Sequence, residues 1–233
     1  MKLNDIGRVL KTNDVEIDSE RVTKRFKQFA LSMLWGFLER KPYLSAKARY
    51  EREKRLITKF SDNSDLTTPT LLDSDDQELI LVFQTLGLTD LVQIFQDPAI
   101  HIDDKLQYLR TALNQLHAIH NTGETHGDPY LKNFFRVNGS ENNGRIYTCD
   151  FEYERKSPEP AVTDVLILTA NSINALFQAN GSAPKSALSV VREVYGNDIR
   201  FPFDIRDRVF FSLRFGMGRE FYEHFRNQRQ IFS

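Results

Sequence analysis

The chain has 233 residues, 40% of them apolar, and a formal net charge of -1. That length suffices for one domain with a real core or for two small lobes, and the near-neutral balance carries no global nucleic-acid signature. A single cysteine, Cys149, excludes an internal disulfide framework and fits a reducing compartment. The first residues hold no apolar core of signal-peptide type, and no apolar run reaches the ~18 residues that a membrane span needs, so the expected location is cytoplasmic. There is no internal repeat or low-complexity tract.

Residues 6–10 and 15–17 alternate enough to predict strands, joined by a turn at Thr12, Asn13 and Asp14. Residues 21–26 predict a third strand, in which alternation puts Val22, Lys24 and Phe26 on one face and Arg25 on the other. Residues 29–38 are the longest apolar stretch, with Phe29, Met33 and Phe37, and Leu34 and Leu38, at helical spacing. Lys24, Arg25, Lys27, Arg40 and Lys41 flank it, so the stripe is either ordinary core or an element lying on a membrane surface or against a lipid-like substrate. Residues 45–60 predict a strong helix capped by Ser45. Between residues 21 and 59, 12 Lys/Arg stand against 3 Glu, an excess of nine. A solvated helix face accounts for such a run, and an anionic partner such as phospholipid, phosphoglycan or tRNA is the sharper alternative.

Residues 67–72 and 78–83 predict two strands around a polar turn, and residues 88–95 and 103–122 predict helices. His117 and His120 sit on the apolar stripe of the second helix and read as packing residues. No Cys or carboxylate stands at metal-ligand spacing to them, which sets a zinc site aside. Residues 134–137 and 145–149 predict a hairpin, and helices follow at 161–168, 184–195 and 204–225.

The chemistry-bearing stretch is Thr125-His126-Gly127-Asp128-Pro129-Tyr130-Leu131-Lys132-Asn133, followed by Asp150-Phe151-Glu152 after a short apolar run. Phosphoryl transfer from a magnesium nucleotide needs a carboxylate that accepts the proton of the attacking hydroxyl. It also needs oxygen ligands for the metal that bridges the phosphates. Asp128 suits the first task, and Asn133 and Asp150 suit the second.

This spacing resembles the HGDxxxxN catalytic loop of the protein-kinase-like superfamily, with Asp150-Phe151-Glu152 resembling its metal-binding DFG or DFE element. The nearest forms are the RIO kinases, the aminoglycoside and choline phosphotransferases, the small kinase of the tRNA threonylcarbamoyladenosine machinery and the lipopolysaccharide sugar kinases. The resemblance implies an α+β, two-lobed protein-kinase-like fold. It divides the chain into a small mixed N-lobe over residues 1–86, with a basic and apolar insert at 27–44, and a reduced, mainly helical C-lobe over 87–233. Only 13 residues lie between Asp150 and Asp164, and no Ala-Pro-Glu element occurs, so there is no long activation segment.

The resemblance also implies site roles and the cofactors ATP and Mg2+. Lys24 is the strand lysine that pairs the phosphates. Glu53 holds it, with Glu51, about 200° round the helix, as the alternative. Gln84, Thr85 and Leu86 form the hinge whose backbone receives adenine. His126 is structural and bonds backbone near Asp150. Lys132 faces the transferred phosphate or the solvent, and Asp164 bonds back to the catalytic loop or serves as a first-turn acid. The implied partners are a nucleotide and a hydroxyl-bearing acceptor. A glycolipid or sugar hydroxyl ranks level with a protein Ser/Thr, peripheral contact at the inner face of a membrane is compatible with the insert, and nucleic acid ranks lower.

One feature favours another class. The turn at residues 12–14 has no glycine, where a phosphate-covering loop needs backbone to approach phosphate closely. A pseudokinase or nucleotide-binding scaffold is therefore the rival reading, opposed by the complete set of Asp128, Asn133 and Asp150. A component of the tRNA-modification machinery is the third.

Overall fold

A computed structural model describes residues 13–27, 45–85, 89–136, 145–154, 160–180 and 184–196. The strand predicted at 6–10, the apolar stretch at 29–38, the hairpin loop at 138–144, the helix at 204–225 and the lobe boundary at residue 86 lie outside these residues.

An antiparallel sheet opens the described structure. It is built from β1 (Asn13–Ile17), β2 (Arg21–Phe26), β3 (Leu71–Asp75) and β4 (Ile80–Gln84), in the order β1-β2-β4-β3. Asn13 and Asp14 are strand residues paired with Phe26 and Arg25, not the expected turn. The turn between β1 and β2 is set at Asp18 instead, whose carboxylate accepts from the amides of Glu20 and Arg21. β3 likewise differs from its predicted bounds. It runs to Asp75, whose carboxylate accepts from the amides of Gln77 and Glu78 and so starts the turn there. Residues 67–70 are not strand.

Helix α1 (Ala46–Ser61) begins where expected, with the Ser45 hydroxyl accepting from the amide of Ala48 at 3.1 Å. Its buried face, Arg49, Tyr50, Glu53, Leu56, Ile57 and Phe60, repeats at three- and four-residue spacing. Tyr50 meets Phe26 of β2 edge to face at 5.7 Å, so the helix packs on the sheet face that carries Lys24.

A second antiparallel sheet joins β5 (Thr89–Asp90), β6 (Phe134–Arg136) and β7 (Ile146–Thr148). Helices α2 (Leu91–Gln96), α3 (Ile102–Asn121), α4 (Pro160–Asn180) and α5 (Pro184–Tyr195) surround it. The helix predicted from residue 88 is shorter than expected. Thr89 and Asp90 pair with β6, and the Asp90 side chain then caps α2 by accepting from the amide of Gln93. Leu109, Leu113, Leu116 and Ile119 of α3 are wholly buried with Phe134, Ile146, Phe151, Leu168 and Ile173. Each such side chain contributes roughly 1.5–3 kcal/mol of burial. Among the described residues, no helix is long and apolar enough to cross a membrane.

Candidate active site

Strand alternation points Lys24 off the inner face of β2 toward α1, where it is 7% exposed. Its ammonium donates to Glu53 at 2.6 Å and to Asp150 at 2.6 Å, and stands 3.5 Å from Glu152. Burial opposes the charge on Lys24, but Asp150, Glu152 and Glu53 overcome it and hold its pKa well above the usual lysine value. Burial pushes the Glu53 carboxyl up against the pull of Lys24. Burial also works against Asp150, yet Lys24 wins there and holds it down at about 2. Glu51 lies on the exposed side of α1, 3.8 Å from Lys47, so the structure brings Glu53 and not Glu51 to the lysine. Asp150 has φ 68°, in the left-handed region that Asp tolerates better than most side chains.

The loop ahead of β6 is fixed from below. Asp164 of α4, fully buried, accepts from the amides of His126 at 2.7 Å and Gly127 at 3.2 Å. His120 stands 3.4 Å from the same carboxylate and 3.2 Å from the Tyr195 hydroxyl. His126 packs between Phe134 and Phe151, at 5.6 and 4.9 Å. Burial lowers its pKa and keeps it neutral. Its Nδ1 accepts from the amide of Asp128 at 3.3 Å, which puts the proton on Nε2, an atom with no hydrogen-bond partner among the described residues. The expected bond to backbone near Asp150 is replaced by one inside the loop itself.

Asn133 ends a 3-10 turn over Leu131–Asn133. Its side-chain amide donates to the Asp128 carbonyl at 2.7 Å and lies 3.5 Å from the Asp128 carboxylate. The Cys149 amide donates to the Asn133 carbonyl at 3.1 Å, one residue before Asp150. That bond ties the Asp128–Asn133 pair to the Lys24–Glu53–Asp150 cluster. Cys149 is half-buried, and desolvation raises its thiol pKa above the usual range. Lys132 is exposed and lies over the Tyr130 ring at 5.7 Å, while its charge helps to lower the Asp150 pKa.

The hinge residues divide. The Gln84 amide donates to Thr70 at 3.0 Å and the Thr85 amide to Glu20 at 2.9 Å, so both donors are committed within the sheet region. Leu86 lies outside the described residues.

Sequence reading missed a buried group beside the lysine. Glu152 accepts from Arg49 at 3.0 Å and from Asn13 at 2.6 Å, and Arg49 also donates to Asn13 at 2.7 Å. The available signal was spacing, since Arg49 is one turn before Glu53 and shares its face. Arg52 was missed as well. It donates to the Tyr153 and Thr125 carbonyls at 2.9 and 2.8 Å and so binds α1 to both functional loops. Arg55 and Lys59 reach Glu124 at 2.6 and 3.1 Å, Lys54 reaches Asp76 at 2.6 Å, Arg25 reaches Glu78 at 3.2 Å, and Lys27 pairs with Asp14. Acids drawn from across the chain thus answer the local cationic excess.

The donors fit a hard cation. Glu53, Asp150 and Glu152 offer carboxylate oxygens within 4.8 Å of one another, with the Lys24 ammonium on two of them, and Asn133, tied to the cluster through the Cys149 amide, carries an amide oxygen; oxygen donors suit Mg2+. Above them, Val15 and Ile17 of β1 are 52% and 71% exposed. Their register, opposite Lys24 and Val22, puts them on the same face as the lysine.

No family model matches this chain. It is 30% identical over 190 residues to a Haloarcula marismortui protein named a probable bifunctional tRNA threonylcarbamoyladenosine biosynthesis protein. The match covers 79% of this chain and 31% of that protein, so the chain spans about a third of the relative's length. Among solved structures, a double mutant of the PknI kinase domain of Mycobacterium tuberculosis matches with a TM-score of 0.51 at 14% identity. That match covers 93% of this chain and 90% of the other, and shows the fold alone: the chain has a protein-kinase-like fold.

Proposed function

We propose that this chain is a small Mg-ATP-dependent phosphotransferase that moves a γ-phosphate to a hydroxyl acceptor. The observation that carries the reading is Lys24 clamped between Glu53 and Asp150, with one backbone bond linking that clamp to Asn133 and Asp128. Lys24 is placed to pair the phosphates, and Glu53 fixes it. Asn133 and Asp150 are the residues that would hold Mg2+, which supplies neutralisation of phosphate charge when bound. Asp128 orients the acceptor hydroxyl and takes its proton. Val15, Ile17 and Val22 offer the apolar face on which a flat base would rest. The power of such a site lies in positioning and preset charge rather than in a covalent intermediate.

The acceptor classes are a sugar or glycolipid hydroxyl, in the style of the lipopolysaccharide kinases, and a protein Ser/Thr. The paired cations of α1 weaken the argument from charge for an anionic acceptor at that helix. The identity with the Haloarcula protein favours a second reading, in which the chain serves a tRNA-modification machinery. Steep salt dependence of tRNA binding would support it, and a flat response would remove it. Contact of residues 29–38 with membrane is read by sedimentation of anionic liposomes, wild type against Trp35→Ser/Phe37→Ser, where equal recovery counts against it.

The deciding experiment is transfer of labelled γ-phosphate from Mg-ATP by wild type and Asp128→Asn, with the chain itself, membrane-lipid extract, total protein and tRNA as acceptors. Transfer by wild type alone establishes the activity and its acceptor class. No transfer, with Mg-ATP still raising the melting temperature, establishes the pseudokinase instead.

A further inference from the structure

We infer that Asn13, Arg49 and Glu152 form a clasp that fastens β1 to α1 and to the segment after Asp150, so that all three are positioning residues for the nucleotide site. The inference rests on the phosphotransferase reading for its functional part, and on geometry for the clasp itself.

Three separate pieces of chain meet at one carboxylate oxygen. Asn13 opens β1, Arg49 is on α1, and Glu152 follows Asp150 by two residues. Glu152 Oε2 accepts from Asn13 at 2.6 Å and from Arg49 at 3.0 Å, while the other oxygen-bearing partner, Asn13 Oδ1, accepts from Arg49 at 2.7 Å. The triangle is closed, so each side chain orients the other two. The second nitrogen of the Arg49 fork donates to the Lys27 carbonyl at 2.7 Å, just past β2. Arg49 and Glu152 are 3% and 2% exposed, and a charge pair held this far from water is costly to break on one side only.

The clasp has a particular place in the sequence. No glycine occurs in β1 or in the turn that follows it, so this edge strand does not rely on backbone pliancy. Side chains fasten it instead. Arg49 also settles a competition. Glu152 Oε2 stands 3.5 Å from Lys24, close enough to draw the ammonium from Asp150. With Arg49 and Asn13 already on that oxygen, Lys24 stays on Asp150 and Glu53. Glu152 therefore acts through Asp150 and Lys24, and Asn13 acts by holding β1 down.

The test uses the full chain and two readouts. Hydrogen–deuterium exchange of nucleotide-free protein follows residues 149–154 in wild type and Asn13→Ala. Release of a fluorescent ATP analogue with Mg2+ is timed by dilution. Asn13→Ala is expected to speed exchange at residues 149–154, across a sequence separation of 139. It is also expected to speed analogue release about tenfold, in line with a lost hydrogen bond to a charged group. Glu152→Gln, which keeps shape and removes charge, is the second variant should Asn13→Ala not fold, and is expected to do the same. Unchanged exchange overturns the clasp. Faster exchange with release at the wild-type rate overturns its role in retaining nucleotide. If wild type binds no analogue, the phosphotransferase reading falls, and exchange alone decides whether the clasp stands.

Discussion

The carbonyl oxygen of Tyr153 lies 1.9 Å from where a β-carbon on Gly127 would stand. Gly127 also has φ 83°, a backbone region that side chains rarely adopt. The residue before Asp128 is thus glycine because the segment after Phe151 passes directly over it. Gly127→Ala is expected to lower stability by about 2 kcal/mol or more, from backbone strain plus displacement of Tyr153. A urea unfolding midpoint equal to wild type would contradict this.

Glu53 and Glu51 provide an internal contrast. Glu53→Gln removes the charge that fixes Lys24 and is expected to cut phosphoryl transfer by about tenfold or more while nucleotide binding persists. Glu51→Gln touches only the exposed pair with Lys47 and is expected to change stability by less than about 0.5 kcal/mol. Steady-state kinetics on the two variants decides the matter, and equal losses would discard the assignment of Glu53.

Asp150→Asn is expected to remove the Mg-dependent part of stabilisation by ATP. Thermal melts with ATP, with and without Mg2+, should show a difference in wild type and none in the variant. A preserved difference would mean that the metal is held elsewhere.

Acid titration should report the Glu124 contacts. The hydrogen bond from Arg55, aided by Lys59, lowers the Glu124 pKa from 4.5 to about 2. Its folded pKa is depressed, so the stabilisation is present above about pH 4.5 and is lost as pH falls toward 2. Solvent screens part of it, leaving about 1 kcal/mol. Glu124→Gln should be less stable than wild type at neutral pH, and the gap should narrow across that window. A gap independent of pH would show that charge is not the cause.

Tyr195→Phe removes the hydroxyl that bonds His120 Nδ1, on the ring whose Nε2 stands 3.4 Å from Asp164. The expected cost is about 1 kcal/mol, with faster amide exchange at His126 and Gly127, the donors to Asp164. Faster exchange confined to α5 would separate that helix from the loop.

The candidate site was legible where its chemistry is local. Asp128 and Asn133 lie five residues apart, and Asp150 follows a short strand, so their types and order carry the signal unaided. Lys24 needed a register argument, which strand alternation supplied, whereas Glu53 rested on the resemblance of its helix and left Glu51 open. Arg49, Glu152 and Asn13 had no comparable signature, because their meaning arises only when three distant segments meet. Asn13 was even expected in a turn. Its place in β1 depends on where Asp18 makes the chain reverse, a competition between two polar turn formers five residues apart that composition does not settle. The short α2 is a similar case, since Asp90 caps it only once Thr89 and Asp90 are taken up by β6.

Helix α1 is fastened to the rest of the molecule at Glu53, Arg49, Arg52, Arg55 and Lys59, by side chains on successive turns. An idle form made by swinging this helix outward would have to break two buried ion pairs, two carbonyl bonds and a surface cluster together.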